Sequence, residues 1–352
     1  MSRTKKIMNH IFIEGLSAMA GGLFATLIVG TILQQIGLLI GGSLGNMIFL
    51  VGRVAAMLTG AGIGVSVAYK FKGSPLVVVS AAVAGMIGAF ATRLLDGTIL
   101  VEGAMVLPGP GEPLGAFIAA YVGIQVGNLV SGKTKVDILI TPTVTIGAGA
   151  LAGLLVGPPI SGVMTGLGGI INWAAEQQPI IMGMVIAVVM GMILTAPLSS
   201  AALGIILNLS GSAAGAATIG CCVNMVGFAV ASYRENKVGG LVSQGIGTSM
   251  LQMPNIVKKP IIWLPVIITS AILGPIGITV FQMTNNATGS GMGTAGLVGP
   301  IMTWQTMSAT EPPAVVLGKI LLIQIILPAV LTLGIAEFMR KKGWIQFGDM
   351  KL

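Results

Sequence analysis

The chain has 352 residues, of which 54% are hydrophobic and only 8% are charged. Because ordinary soluble domains carry about 25% charged residues, this composition excludes a soluble enzyme, a secreted disulfide scaffold and a disordered chain. The net charge of +8 would suit a nucleic-acid binder, but so apolar a chain excludes that class too. The sequence therefore predicts an all-α polytopic membrane protein, surrounded by lipid, whose basic excess reflects its orientation in the membrane.

Residues that ligate metals are scarce. Cys221 and Cys222 are neighbours within an apolar stretch, and the chain has no Cys and His spacing typical of a metal site. The single histidine is His10, close to the amino terminus. We therefore predict no metal site, no cofactor and no imidazole chemistry in the membrane core.

Ten stretches are apolar and long enough to be membrane-spanning helices, which need about 20 residues. The first is longer than the apolar region of a signal peptide and no convincing cleavage motif follows it, so we interpret it as a retained span. In chain order the predicted spans are 15–38, 44–69, 75–91, 113–131, 138–156, 159–175, 179–208, 213–232, 260–283 and 313–339.

Lys and Arg residues concentrate on the cytoplasmic side of membrane proteins and therefore orient these spans. With the amino terminus in the cytoplasm, most of the 18 Lys and Arg residues fall on that side. Removing the sixth span would move several of them outward, so the bias predicts ten spans with both termini in the cytoplasm and the polar connection 92–112 outside. The residues placed in the cytoplasm are Arg3, Lys5, Lys6, Lys70, Lys72, Lys133, Lys135, Arg234, Lys237, Lys258, Lys259, Arg340, Lys341, Lys342 and Lys351.

Two further apolar, Gly-rich stretches, 238–257 and 288–311, fit this count only if each enters and leaves the membrane on one side. Irregular backbone at membrane depth is stable only where protein buries it or where it lines a watery cavity, and carriers build substrate sites from such broken elements. We therefore predict two re-entrant hairpins, and the alternative is two long loops. Small residues four apart, such as Gly60/Gly64 and Gly162/Gly166, more weakly predict close helix contacts.

Glu311 is the acidic residue of the second hairpin, and an ionisable group at membrane depth indicates function. Because Pro312 and Pro313 follow it, its carboxylate lies where the helix breaks and can accept two hydroxyl hydrogen bonds from a polyol. The alternative is a Glu at a helix start, where the helix dipole favours it. Arg53 and Lys319 are the cations within the predicted spans, and we assign neither a role.

Other candidate substrate-binding residues are neutral. Thr248, Gln252 and Asn255 lie in the first hairpin, where amides can donate to and accept from hydroxyl groups. Asn224 lies in the middle of a predicted span, and Trp304 could pack its ring against the apolar face of a sugar. The alternatives are amides that bond the hairpin's own backbone and a tryptophan at the membrane interface.

Thr310-Glu311-Pro312 resembles the Thr/Asn-Glu-Pro motif of the integral-membrane EIIC components of bacterial phosphotransferase-system sugar transporters, in the glucose superfamily. In that family the motif lies in the second hairpin, its Glu binds a sugar hydroxyl, and a long final span follows, here 315–339. The ten-span, two-hairpin arrangement is similar as well. Over nearly its whole length the chain resembles the stand-alone EIIC-like proteins, which carry no fused domains.

The resemblance implies one EIIC-like membrane domain over 1–352 that forms a homodimer and moves as an elevator. A scaffold and dimerisation part, about 1–156, would stay fixed while a substrate-transport part, about 157–339, moves. It also implies separate EIIA and EIIB proteins and a membrane subunit of a phosphohistidine-dependent sugar phosphotransferase. Several sugar EIIC proteins place a membrane histidine beside the Glu; this chain has none, so phosphorylation of the sugar is an open question.

Three functions are therefore open. The first is an EIIC permease in the bacterial cytoplasmic membrane for a sugar or similar polar solute, with EIIB as the phosphoryl donor and Glu311 orienting the hydroxyl. The second is a carrier or exporter on the EIIC scaffold that transports without phosphorylation, which the missing histidine favours. The third is a regulatory or structural membrane protein. The candidate side chains suit sugars, polyols and other polar solutes equally, so the sequence does not name the substrate.

Overall fold

The structure is a computed structural model that describes residues 10–107 and 109–352. Helices form nearly all of its regular structure, which confirms the all-α fold; the described residues depart from it in a small β-hairpin, β1 (Leu100–Val101) and β2 (Ala104–Met105). Arg3, Lys5 and Lys6, on which the predicted position of the amino terminus rests, lie outside the described residues. The chain divides into two compact units, Met1–Met164 and Thr165–Leu352.

The length and composition of the helices confirm a polytopic membrane protein. Among the described residues, six helices are long and apolar enough to cross a membrane, and one pair bent by 53° can form a seventh crossing. Two more apolar helices, Pro75–Ala89 and Pro179–Thr195, are shorter. Ten separate spans are therefore more than these helices provide.

The first unit contains a bent pair of helices and a β-hairpin between longer helices. α1 begins after a π-helical turn, His10–Gly15, and contains another, Phe24–Ile28. At α4, Pro75 occupies the first helical position and Ser74 Oγ accepts a hydrogen bond from Val77 N, a combination typical of a helix start. The helices are α1 (Leu16–Ile40), α2 (Gly42–Met57), α3 (Thr59–Lys70), α4 (Pro75–Ala89), α5 (Ala91–Leu95), α6 (Pro113–Val130) and α7 (Asp137–Ala175).

Glycines let α3 and α4 approach each other closely. A Cβ atom at Gly60 or Gly64 would collide with backbone carbonyl oxygens of α4, so this predicted contact pair is confirmed. Within the described part of the chain nothing packs within 4 Å of the Cβ positions of Gly162 and Gly166, so the structure shows no close helix contact at that pair.

Helix α7 corrects the predicted span count. It continues without a break over 39 residues, about 58 Å at 1.5 Å per residue, where the sequence predicts two spans, 138–156 and 159–175. The structure therefore joins these two predicted spans in a single helix. Pro158 and Pro159 lie inside this helix, but each removes only one helical hydrogen bond, a loss that helices in apolar surroundings tolerate.

The second unit alternates long helices with irregular backbone. 3₁₀ turns cover Ser249–Gln252 and Ala295–Leu297, and a π-helical turn covers Ser243–Gly247. The helices are α8 (Pro179–Thr195), α9 (Ser200–Ile206), α10 (Gly211–Ala231), α11 (Tyr233–Val242), α12 (Met253–Lys258), α13 (Pro260–Thr279), α14 (Ala287–Ser290), α15 (Val298–Met307) and α16 (Pro313–Lys341).

Helix α8 does not form the predicted span 179–208. It ends at Thr195, before Pro197, and packs alongside the buried helix α10 in the same direction, with Thr195 beside Asn224. α10 begins at Gly211, about 20 Å before Asn224 at 1.5 Å per residue. Because α8 ends beside Asn224, the connection through α9 must run back along α10 to its first residue, which is also the end at which α8 begins. Together α8 and α9 therefore enter and leave at the same end of α10.

Two more broken elements follow, in the regions of the two predicted hairpins. Hairpin one is defined here as α11, the irregular segment 243–252 and α12, with extended backbone at Thr248. Hairpin two is α14, the unwound segment 291–297 and α15. Their irregular segments touch, because Thr294 Oγ1 donates a hydrogen bond to Gly245 O.

Candidate functional site

The irregular backbone of the second unit meets around a buried polar side chain, Asn224 of α10. Its Oδ1 accepts hydrogen bonds from Thr195 Oγ1 (3.1 Å) and Trp263 Nε1 (3.2 Å), and its Nδ2 donates to Gly220 O (3.1 Å) and Ser270 Oγ (3.4 Å). The amide thus uses all of its hydrogen-bonding capacity, as a buried polar group must.

Thr195 and Ser249 complete this polar junction, which we define as Thr195, Asn224, Ser249, Trp263 and Ser270. Thr195 Oγ1 and Ser249 Oγ lie 2.8 Å apart. Thr195 is the last residue of α8, and Ser249 opens the 3₁₀ turn that follows the break at Thr248, so two broken elements supply these hydroxyls. The side chains of Thr195, Asn224, Ser249 and Ser270 are fully buried.

Hairpin two approaches the junction from another direction. Thr294, whose hydroxyl binds Gly245 O of hairpin one, also lies 3.6 Å from Met225 Sδ, next to Asn224 in sequence. Gly293 has a left-handed φ of 52°, and a side chain there would collide with the backbone of α10 at Cys221. A glycine at this position therefore lets the unwound segment lie directly against α10.

A second polar cluster surrounds Asn285, before hairpin two. Asn285 Nδ2 donates to Thr218 Oγ1 (2.8 Å) and Thr303 Oγ1 (3.0 Å), and Gln324 Nε2 donates to Thr303 Oγ1 (2.8 Å). Gln324 Oε1 is buried without a hydrogen-bond partner among the described residues. Gln324 lies in a π-helical turn of α16, a distortion frequent at functional sites. This acceptor is therefore available to a water molecule or a hydroxyl group.

Glu311, the leading sequence candidate, is paired with Lys319. Lys319 Nζ lies 2.7 Å from Glu311 Oε2 and 2.8 Å from Oε1, and both side chains are partly exposed. Thr310 Oγ1 donates to Met307 O, so the first residue of the motif bonds its own turn. The pairing gives Lys319 a partner that the sequence did not assign.

The other sequence candidates lie in different places. Thr248 caps the 3₁₀ turn by accepting from Met250 N, and Trp304 packs against the buried core of the unit. Gln252 and Asn255 bind backbone carbonyls of residues 350 and 351, near the end of the chain. Of the predicted site residues, Asn224 lies in the polar junction and Thr248 directly precedes the junction residue Ser249. No hydrogen bond between described residues joins Glu311 to Asn224 or Thr248.

Sequence reasoning missed Thr195, Ser249, Trp263 and Ser270. Single hydroxyls in apolar helices carry little signal, because Ser and Thr commonly bond their own helix. Pro197, two residues after Thr195, was a usable signal, since it indicates that the helix ends there.

The junction suits a neutral ligand. Its side chains are hydroxyls, one amide and one indole, which donate to and accept from hydroxyl groups without a net charge. No group of three or more metal-ligating side chains occurs among the described residues, so the described part of the chain offers no obvious metal site.

Comparison with known families agrees with the helical membrane fold. The family model described as phosphotransferase system, EIIC matches residues 13–352, nearly the whole chain. A search of the curated proteins found no match.

Proposed function

Because the chain belongs to the phosphotransferase-system EIIC family, we propose that it is the permease that carries one sugar, or a similar neutral polar solute, across the bacterial cytoplasmic membrane. A separate EIIB protein would supply the phosphoryl group. The observation that carries the proposal is the convergence of broken elements on a buried, uncharged polar junction. Broken helices that meet within the membrane are typical of substrate sites in carriers.

In the proposed site the substrate replaces contacts that the junction now makes with itself. A sugar hydroxyl can donate to Asn224 Oδ1 and accept from Ser249 or Thr195, so the ligand would compensate each hydrogen bond that it breaks. Thr248 and Ser249 would move with hairpin one. The ring of Trp263, whose Nε1 binds Asn224, provides an apolar face of the kind that packs against sugars.

Glu311 and Lys319 are proposed as a second contact for the substrate. One hydroxyl group placed between them can donate to the carboxylate and accept from the ammonium group. The pair is electrically neutral, so it favours a neutral solute over an anionic one. Thr310 bonds its own turn, Gln252 and Asn255 bond the carbonyl groups of residues 350 and 351, and Trp304 packs against the core. A role for any of them in substrate binding would require these contacts to open.

We also propose eight membrane crossings: α1, the bent pair α2 and α3, α4, α6, α7, α10, α13 and α16. α8 with α9 and the two hairpins would enter and leave on one side. With the amino terminus in the cytoplasm, this count still places the basic residues at 234–237 and 258–259 inside, as the positive-inside rule requires. Homodimerisation and an elevator motion, with the second unit carrying the substrate, are proposed from the family resemblance.

A second candidate function is a carrier that transports without phosphorylation. The observation that favours it is that the chain has one histidine, His10, so the polar junction contains no imidazole to act as a base. A glutamate with its ordinary pKa is a weak base at neutral pH.

Transport by purified protein in liposomes tests the proposal and separates the two candidates. Panels of labelled sugars and polyols are offered with and without phospho-EIIB. Phosphorylated product that requires phospho-EIIB supports the permease, whereas uptake of unmodified solute without it supports the carrier. If no sugar or polyol is transported under either condition, the proposal is wrong.

Two substitutions locate the site in the same assay. Glu311→Gln removes a charged hydrogen-bond acceptor, which corresponds to about 1.5–3 kcal/mol, or roughly 10- to 150-fold weaker binding. Ser249→Ala removes one junction hydroxyl and is expected to weaken binding about 2- to 10-fold. The matched controls are Glu176→Gln and Ser43→Ala, which make the same two changes at exposed residues and should bind substrate like the wild type.

A further inference from the structure

The final segment, defined as residues 343–352, folds back onto hairpin one. Lys259 directly follows α12, and its Nζ lies 2.6 Å from Asp349 Oδ2. Gly348 N donates to Glu235 Oε1 of α11, and the same carboxylate pairs with Arg340 at 2.8 Å. Met350 and Ile345 are buried in the hydrophobic core of the unit. The two ends of hairpin one are thus tied to one short stretch of chain.

Three amide side chains of hairpin one bind the backbone of this segment. Asn236 Nδ2 donates to Met350 O (2.8 Å), and its Oδ1 accepts from Leu352 N (2.9 Å). Gln252 Nε2 also donates to Met350 O (2.9 Å), and Asn255 Nδ2 donates to Lys351 O (2.9 Å). Residues 347–350 form turns that are closed by hydrogen bonds from Asp349 N to Gln346 O and from Lys351 N to Gly348 O. The three amides therefore hold the main chain of a turned peptide, whose carbonyl and N–H groups an amide can pair with.

One of these amides, Gln252, connects the final segment to the polar junction. Ser249 begins and Gln252 ends the same 3₁₀ turn. Ser249 contacts Thr195 of the polar junction, and Gln252 bonds Met350 of the final segment. Gln252 Nε2 also donates to Gln244 Oε1, and Gln244 Nε2 donates to Ser232 Oγ at the end of α10. Movement of hairpin one relative to α10 therefore requires these bonds to open.

We propose that hairpin one carries a binding groove for a short, turned peptide and that residues 346–352 of this chain occupy the groove as a reversible latch. Asn236, Gln252 and Asn255 recognise the peptide backbone, Lys259 recognises the acidic side chain at position 349, and a buried pocket accepts Met350. While the latch is closed, it holds the irregular segment 243–252 in place. The inference concerns hairpin one itself and does not depend on the proposed transport activity.

Charge reversal in the full chain tests the latch. Lys259→Asp and Asp349→Lys each place like charges together, whereas the double variant restores opposite charges. Hydrogen exchange, followed by mass spectrometry, should become about tenfold faster in both 344–352 and 243–258 for each single variant and return toward the wild type in the double variant. Lys341→Asp, at an exposed side chain outside the final segment, carries the same charge change as Lys259→Asp and should leave exchange unchanged.

The exchange pattern decides between a latch and a passive cover. If 344–352 exchanges faster and 243–258 does not, the segment covers hairpin one without holding it, and the proposal is wrong. If either single variant misfolds, Asn236→Ala provides a milder opening, because it removes two backbone hydrogen bonds and introduces no charge. Faster exchange in both regions of this variant supports the latch.

Binding of the segment in trans tests the groove. A dye-labelled peptide with the sequence of residues 344–352 is titrated against the full-length Asp349→Lys variant, whose groove is intact but whose own segment is repelled by Lys259. We expect peptide binding by this variant to be at least tenfold tighter than by the wild type, whose groove is occupied. The control peptide carries Lys in place of the aspartate. Equal binding of both peptides, or no binding of either, contradicts the groove.

Discussion

Glu311 shows what can be learned from a residue in sequence and what requires coordinates. Its exceptional position, an acid before two prolines in an apolar region, marked it as a candidate. Its partner was not evident, because a helix does not bring residues eight apart into contact as it does residues three or four apart. The break at Pro312 lets the chain turn before α16 begins, and Lys319 then reaches Glu311 at 2.7 Å.

Gln252 and Asn255 were predicted to bind the substrate, but in the structure they bond the main chain. Their chemistry as hydroxyl ligands was reasonable, but their hydrogen bonds go to main-chain carbonyls almost a hundred residues later in the chain. Amides bind peptide carbonyls as readily as hydroxyl groups. Which of the two they meet depends on where the end of the chain folds, and no local pattern indicates that.

Asp349 predicts a pH dependence of the final segment. Burial alone would raise the pKa of its carboxyl group, but the hydrogen bond from Lys259, a second from Gln346 N and the charges of Lys259 and Arg340 outweigh it and lower the pKa. A lowered pKa means that the ionised carboxylate stabilises the folded segment above the ordinary pKa of Asp. This stabilisation is lost as the pH falls through the lowered value.

Mobility of a dye on Leu352→Cys measures this effect, since the side chain of Leu352 is exposed. Fluorescence anisotropy should be high and constant around neutral pH and fall only in the acid range, below the ordinary pKa of Asp. With Asp349→Asn added, anisotropy should be lower at neutral pH and lose the acid step, since a partly exposed ion pair contributes about 1 kcal/mol or less. An unchanged acid step in that variant would assign the titration to another group.

At the scale of elements, the sequence predicted helices well and their interruptions poorly. Most predicted spans match a helix to within a few residues, because long apolar runs are unambiguous. One exception is the predicted span 44–69, which is the bent pair α2 and α3. The other exceptions involve proline: Pro158 and Pro159 lie within the continuous helix α7, whereas Pro197 follows the end of α8. Proline removes one hydrogen bond in every case, and the packing of the neighbouring helices decides whether the helix continues.

Glycine spacing shows the same dependence on neighbours. The pairs Gly60/Gly64 and Gly162/Gly166 have identical spacing, yet only the first faces another helix closely. The closest approach within the second unit is at Gly220 of α10, where a Cβ atom would overlap the carbonyl group of Ala187 in α8. This contact holds α8 beside Asn224 and so positions Thr195.

Gly220→Ala is expected to destabilise the protein. Backbone atoms occupy the position of the new methyl group, so α8 and α10 must separate, at a cost of about 1–3 kcal/mol or more. Thermal unfolding of the detergent-purified variant should show a Tm lower by several degrees. Gly166→Ala is the matched control: its Cβ has no neighbour within 4 Å, and alanine favours a helix over glycine by up to about 1 kcal/mol, so its Tm should be equal or higher. Equal Tm values for the two variants would contradict the close packing of α8 on α10.

For the whole molecule, the positive-inside rule predicts the same orientation for ten spans and for the eight crossings that we propose. The proposed arrangement counts α7 as one crossing instead of two, and it treats the pair α8 and α9 as re-entrant instead of as one crossing. Because each change removes one crossing, the number stays even and every basic residue after α9 stays on its predicted side. Charge counts constrain only whether the number of crossings is even or odd, so they could not distinguish these arrangements.

The exposed residue Glu176, between α7 and α8, distinguishes them. In the ten-span arrangement two crossings lie between Lys135 and Glu176, so both face the cytoplasm. In the eight-crossing arrangement α7 crosses once, and Glu176 lies outside together with Asn208.

We therefore expect Glu176→Cys and Asn208→Cys to react with a membrane-impermeant maleimide added to intact cells, as Glu102→Cys should. Cys substitutions at Lys135 and Lys258 should react only after the inner face is opened. Cys221 and Cys222 are buried and should not react in either preparation. Labelling of Glu176→Cys only from the inner face would restore two crossings within 137–175 and would require α7 to break in the membrane.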